Sequence, residues 1–140
     1  MKKMLKKSKG FTLVELLIVI IIIGILAGMM MLATGSATDK AEATKIVSNL
    51  RNMKAAAIMV YADDNKWPSD IKSLDKYMDA SISSDYSVGK YGNATVAVKY
   101  KKGTNAGVND KLDALATGDN AVLSKDTSYI WMNVVNSADK

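Results

Sequence analysis

The chain contains no cysteine and no histidine. Without cysteine it has no disulfide framework, no thiol nucleophile and no cysteine-ligated zinc. Without histidine it lacks the side chain that most often moves protons near neutral pH, and the commonest metal ligand. Ser–His–Asp and Cys–His constellations are therefore excluded, and the sequence reads as that of a non-enzyme. The redox compartment stays open. Proline occurs once, at Pro68, so the first 67 residues carry no proline break.

The 140 residues suit one domain, or one domain with an appendage. The formal net charge is +5, which at first suggests an acidic partner. Its location argues otherwise. Lys2, Lys3, Lys6, Lys7 and Lys9 hold the whole excess, and beyond residue 10 the chain has 14 basic and 14 acidic side chains. The basicity belongs to the extreme N-terminus, and the sequence argues against nucleic acid as a partner.

From Leu16 to Thr38 there is no charged residue, and Leu16 to Ala33 is almost wholly apolar. As a helix these 23 residues reach about 34 Å, enough for a hydrocarbon core of roughly 30 Å. Five lysines before the run and none close after it predict a single membrane pass with the N-terminus in the cytoplasm. The remaining chain then lies in the periplasm or outside the cell. A secretory signal peptide cut near Gly35-Ser36-Ala37 is the competing reading, but the apolar core is longer than the usual h-region and carries Glu15 at its start.

Glu15 is the most informative residue. An ionisable group within a membrane segment costs roughly 2.5–3.5 kcal/mol on insertion scales. Lying one turn inside the helix, it can reach headgroups and gain from the N-terminal dipole. A dedicated partner offsets the cost further. A free α-amino group, exposed if the chain is cut just before the apolar run, is one candidate. An opposite charge at 4 Å contributes roughly 4 kcal/mol at an effective dielectric near 20.

The segment Lys9-Gly10-Phe11-Thr12-Leu13-Val14-Glu15-Leu16 resembles the type III signal sequence of type IV pilins and pseudopilins. It has a short basic leader, Gly10 before the cut, Phe11 after it, and Glu15 four residues further on. The resemblance covers residues 1 to about 38 strongly and the rest in outline. It implies cleavage between Gly10 and Phe11 by a membrane prepilin peptidase, then N-methylation of Phe11. It implies that Glu15 meets the Phe11 amine of a neighbouring subunit as copies self-associate into a helical filament, on inner-membrane assembly platform proteins. The chain departs from the family in one respect. Many type IV pilins carry a proline in the second half of the apolar segment, where this chain has Met29-Met30-Met31-Leu32. Gly24, Gly28 and Gly35 still soften the helix there, by roughly 1 kcal/mol each relative to alanine, and the Gly24–Gly28 spacing suits close helix contact.

Beyond the apolar run, residues 39–63 predict an amphipathic continuation of the same helix. Ile46, Leu50, Met53, Ala57 and Val60 or Tyr61 recur every three or four residues. Asp63-Asp64-Asn65 predicts its end. Trp67-Pro68 follows within a run, Tyr61 to Pro68, that resembles a pseudopilin loop in which both residues pack the loop onto the helix. Ser69-Asp70 predicts a short helix to about Met78. Residues 85–91, 94–100 and 129–135 predict strands, with Val96, Val98 and Tyr100 on one side. Residues 110–117 predict a helix closed by Gly118.

The expected fold is α+β: a long N-terminal helix, half membrane-spanning and half amphipathic, packed against a small antiparallel sheet. The expected organisation is a cleaved leader (1–10), a transmembrane and assembly helix (11–38), its amphipathic half (39–63) and a head (64–140). The function expected is that of a structural filament subunit with no catalytic residues and no cofactor. Its other partners are membrane lipid before assembly and the processing peptidase. A pseudopilin of a type II secretion or DNA-uptake system is the near alternative, and a membrane-anchored or secreted binding module the alternative of another class. Asp110, Asp113 and Asp119 form a candidate calcium cluster without EF-hand spacing. Lys99, Lys101 and Lys102 form a small basic cluster that reads as a solvated turn.

Overall fold

The computed structural model describes residues 10–118 and 122–136. By contacts the chain divides into a part up to Ala37 and a part from Thr38 onward.

The first element, α1, is a helix of 52 residues, Leu13–Asp64. No proline interrupts it, and leucine, alanine and methionine favour the helix in its first half despite the less favourable isoleucine run from Ile20 to Ile23. Asn65, at a φ of 54°, ends it in the left-handed region that asparagine tolerates. Up to Ala37 the helix is exposed on every side. The isoleucines from Ile20 to Ile23 keep 50–58% of their surface, and no residue of the most apolar window is buried within the chain. A helix apolar all round has no solvated face, and it is long and apolar enough to cross a membrane.

From Thr38 onward the same helix has a single buried stripe, Ala43, Ile46, Leu50, Met53, Ala56, Ala57 and Val60. This is the stripe that the sequence predicts, with Val60 rather than Tyr61 at its end. Tyr61 is instead turned out to stack on Trp67, centroids 4.2 Å apart at 13°, and Pro68 is buried beside it. A 3-10 helix, Ile71–Tyr77, follows, capped by the Asp70 side chain. It seals Leu74 into the core.

The stripe packs on a four-stranded antiparallel sheet in the order β1-β2-β4-β3. Its strands are β1 (Tyr86–Tyr91), β2 (Ala94–Lys101), β3 (Leu123–Lys125) and β4 (Tyr129–Asn136). Val88, Val96, Val98, Ile130 and Met132 face α1 within one core. The β1–β2 hairpin closes over Gly92 and Asn93, with Tyr91 opposite Ala94. Gly92 has a φ of 55°, as the first position of such a two-residue loop requires. Irregular register between Ala94 and Ala97 bends β2. A second helix, α2, runs Ala106–Leu115 and buries Val108 and Leu112. It starts four residues before the predicted 110–117, because the Asn105 side chain accepts from the Val108 amide and caps it.

Candidate functional site

The residues singled out for processing and assembly lie where α1 begins. Gly10 and Phe11 precede the helix, and Phe11 is 88% exposed. In the uncut chain the Phe11 nitrogen is part of a peptide bond and carries no charge, so any ionic role for it requires hydrolysis at Gly10.

Glu15 has a partner that the sequence reading overlooked. The Thr12 amide donates to the Glu15 carboxylate at 3.0 Å, and the Glu15 amide donates to the Thr12 hydroxyl at 3.2 Å. This reciprocal pair is a capping box, satisfying two amides that the first helical turn leaves without carbonyls. Its signal, Thr-x-x-Glu before an apolar run, is legible in Thr12-Leu13-Val14-Glu15. The carboxylate is thus fixed at the positive end of the helix dipole. A carboxylate accepts several hydrogen bonds, so accepting from Thr12 leaves Glu15 capacity for a second donor.

Elsewhere the structure separates residues that the sequence groups. Lys102, its side chain only 6% exposed, places Nζ 2.6 Å from Asp113 and donates to the Asp126 carbonyl at 2.6 Å. Lys99 instead lies over the rings of Tyr91 and Tyr129, at 4.6 and 5.0 Å from their centroids. Lys101 is exposed. The three lysines are therefore not one patch. Asp113 of the candidate calcium cluster faces Lys102 rather than open space, and Asp119 lies outside the described residues. Among the described residues no group of three acidic side chains is placed to hold a metal ion.

A polar and aromatic cluster covers the sheet face away from α1. Tyr91 packs edge-on against Tyr129 and Trp131, at 5.5 and 4.6 Å, and its hydroxyl donates to Asp126. Asp126 also accepts from the Ser128 and Tyr129 amides, both at 2.7 Å, and so organises the β3–β4 turn. The Tyr91 hydrogen bond and the turn amides hold the Asp126 carboxyl below its ordinary value. Asp126 in turn pushes the Tyr91 phenol up to about 12.

The profile of the prokaryotic N-terminal methylation motif matches residues 5–31. This span contains Gly10, Phe11, the Thr12–Glu15 cap and most of the exposed apolar helix. The type IV major pilin protein PilE of Neisseria gonorrhoeae is 36% identical over 79 residues, 56% of this chain and 47% of that protein. The type II secretion system core protein G of Pectobacterium carotovorum is 34% identical over 68 residues, 49% of this chain and 44% of the other. Over about half its length this chain is similar to type IV pilins and type II secretion pseudopilins, and it carries the methylation motif. It spans about half the length of the curated relatives it matches. A solved structure of the major type IV pilin PilA1 from Clostridium difficile aligns with 72% of this chain and 99% of that one, at 20% identity and a TM-score of 0.48. The α+β head, with its helix on a four-stranded sheet, is the chain's own observed fold.

Proposed function

We propose that the chain is a structural subunit of a type IV pilus-like filament, acting through its N-terminal helix and not through catalysis. The observation that carries this reading is the apolar half of α1. It is exposed on every side and headed by a capped glutamate within a methylation motif. Such a surface is stable only in lipid or against other apolar helices.

In this reading residues 1–10 are a leader whose five lysines hold the N-terminus in the cytoplasm, giving the chain a single inner-membrane pass before assembly. A prepilin peptidase cuts between Gly10 and Phe11, and Phe11 is N-methylated. Residues 11–38 leave lipid to form the filament core, residues 39–63 carry the head, and residues 64–140 face outward. Glu15, still capped by Thr12, takes the Phe11 amine of a neighbouring subunit as its second donor. Apolar packing drives assembly and the ion pair selects its register, since a buried pair contributes more to specificity than to bulk stability. Assembly platform proteins in the inner membrane are the remaining partners.

The mature N-terminus tests this directly. Sequencing and mass spectrometry of the purified protein should find methyl-Phe11. A terminus near Thr38, or an uncut Met1, would point instead to a secreted or anchored module. Glu15→Ala should leave cleavage intact and abolish filaments, and normal fibres from that variant would remove its assigned role. The core protein G relatives favour a second reading, a pseudopilin of a secretion or uptake machine. Electron microscopy with antibody to the head separates the two, because long surface fibres containing this chain argue for a pilin.

A further inference from the structure

Of the nine asparagines, only Asn93 is followed two positions later by serine or threonine, as Asn93-Ala94-Thr95. This triplet has the form of an N-glycosylation acceptor, in which the hydroxyl two residues on orients the amide for transfer. A match by sequence alone is weak, because such triplets arise by chance, and its place in the fold is what gives it weight.

Asn93 is the second residue of the β1–β2 loop, and it is exposed. Ala94 is fully buried, whereas Thr95 is again partly exposed. Burial thus alternates through the triplet, turning the amide and the hydroxyl away from the core together. The turn also rests on aromatic rings. A side chain added at Gly92 would come within 3.4 Å of the Trp131 ring, and Tyr91, two residues before Asn93, is fixed against Trp131 and Tyr129. The apolar C–H faces of a sugar attached next to these rings find an apolar surface rather than bare solvent. Under the topology proposed above, this loop lies on the side of the membrane where lipid-linked sugars are transferred.

We infer that Asn93 is a modification site that accepts an oligosaccharide from a lipid-pyrophosphate donor. The Asn93 amide nitrogen bonds to the anomeric carbon of the first sugar. The bond between that carbon and the pyrophosphate oxygen breaks, the lipid pyrophosphate leaves with the electron pair, and one amide proton passes to a base on the transferring enzyme. No oxidation or reduction is involved.

The test uses the chain purified from the organism that makes it. Trypsin cuts after Lys90 and Lys99 and releases Tyr91–Lys99 as one peptide. Mass spectrometry should show this peptide carrying sugar-residue increments, with fragmentation placing them on Asn93. Asn93→Gln and Thr95→Ala should each remove them, while Thr95→Ser should retain them. A peptide found wholly unmodified overturns the inference. Increments that persist in Asn93→Gln also overturn it, because they would mark Thr95 as an O-linked site. The readout does not depend on filament formation, so absent fibres with a modified Asn93 would count against the filament reading alone.

Discussion

Single contacts in this chain have energies that competing residues can reverse, and Gly107 shows this most sharply. It sits in the first turn of α2, where a β-carbon would collide with the Asp39 carboxylate. Asp39, on α1, also accepts from the Asn105 side chain at 3.1 Å. Alanine is favoured over glycine in a helix by up to about 1 kcal/mol, whereas overpacking costs about 1–3 kcal/mol. Gly107→Ala should therefore destabilise by about 1 kcal/mol, because Asp39 must rotate away and lose Asn105. In an Asp39→Ala background the same substitution should become neutral or stabilising. Urea denaturation of the four chains of this double-mutant cycle measures the reversal, and additive effects would show that Asp39 does not set the requirement for glycine. None of this is legible in the sequence, where Gly107 and Asp39 lie 68 positions apart. Thr12 differs, because its capping partner is three residues off and the motif is local.

Among the elements, those with a clear period were the ones sequence could locate. The stripe of α1 repeats every three or four residues, and β2 and β4 combine β-branched residues with aromatics, so each shows its type without tertiary information. β3 is only three residues long, too short for any period, and it exists because Leu123 to Lys125 find β4 beside them. The tie between the β1 end and the β3–β4 turn was likewise hidden, because Tyr91 and Asp126 are 35 residues apart. That tie makes a prediction at both ends of the pH range. The folded Asp126 carboxyl lies below its ordinary 3.8, so its contribution is present above that value and lost as pH falls through the lower folded one. The folded Tyr91 phenol is raised from 10.0 to about 12, so its contribution is present below 10 and lost as pH rises through about 12. Tyr91→Phe should flatten part of the alkaline loss. Tyr77, raised by its hydrogen bond to Asp63, and Tyr86 and Tyr100, raised mainly by burial, also contribute to the remainder. Thermal melts of both chains from pH 9 to 12 provide the comparison, and parallel curves would show that the tie contributes nothing there.

At the scale of the whole molecule, the two ends of α1 solve different problems with one uninterrupted helix. Among the described residues, the hydrophobic core lies between Ala43 and Val135, and no part of it lies in the apolar run up to Ala37. The part from Thr38 onward therefore holds all the packing it needs, while the part before it has surface that only lipid or other copies can cover. The five lysines of residues 1–10 are a third, separable feature, since the chain beyond residue 10 has balanced charge. Residues 38–140 expressed alone should accordingly give a soluble protein that unfolds in one cooperative transition, whereas the full chain should require detergent. Within that part, Leu50 and Ile130 are fully buried from opposite sides of the same core. Leu50→Ala or Ile130→Ala should each cost about 2–5 kcal/mol. Their effects should fall short of additive if the two truncations share one cavity. Chemical denaturation of the 38–140 chain, followed by far-ultraviolet circular dichroism and by tryptophan fluorescence, tests both statements. Separate transitions by the two probes would show that the helix stripe and the sheet do not fold as one unit. Coincident transitions would show that the helix stripe and the sheet fold as one cooperative unit without the apolar half of α1, as a core confined to residues 43–135 requires.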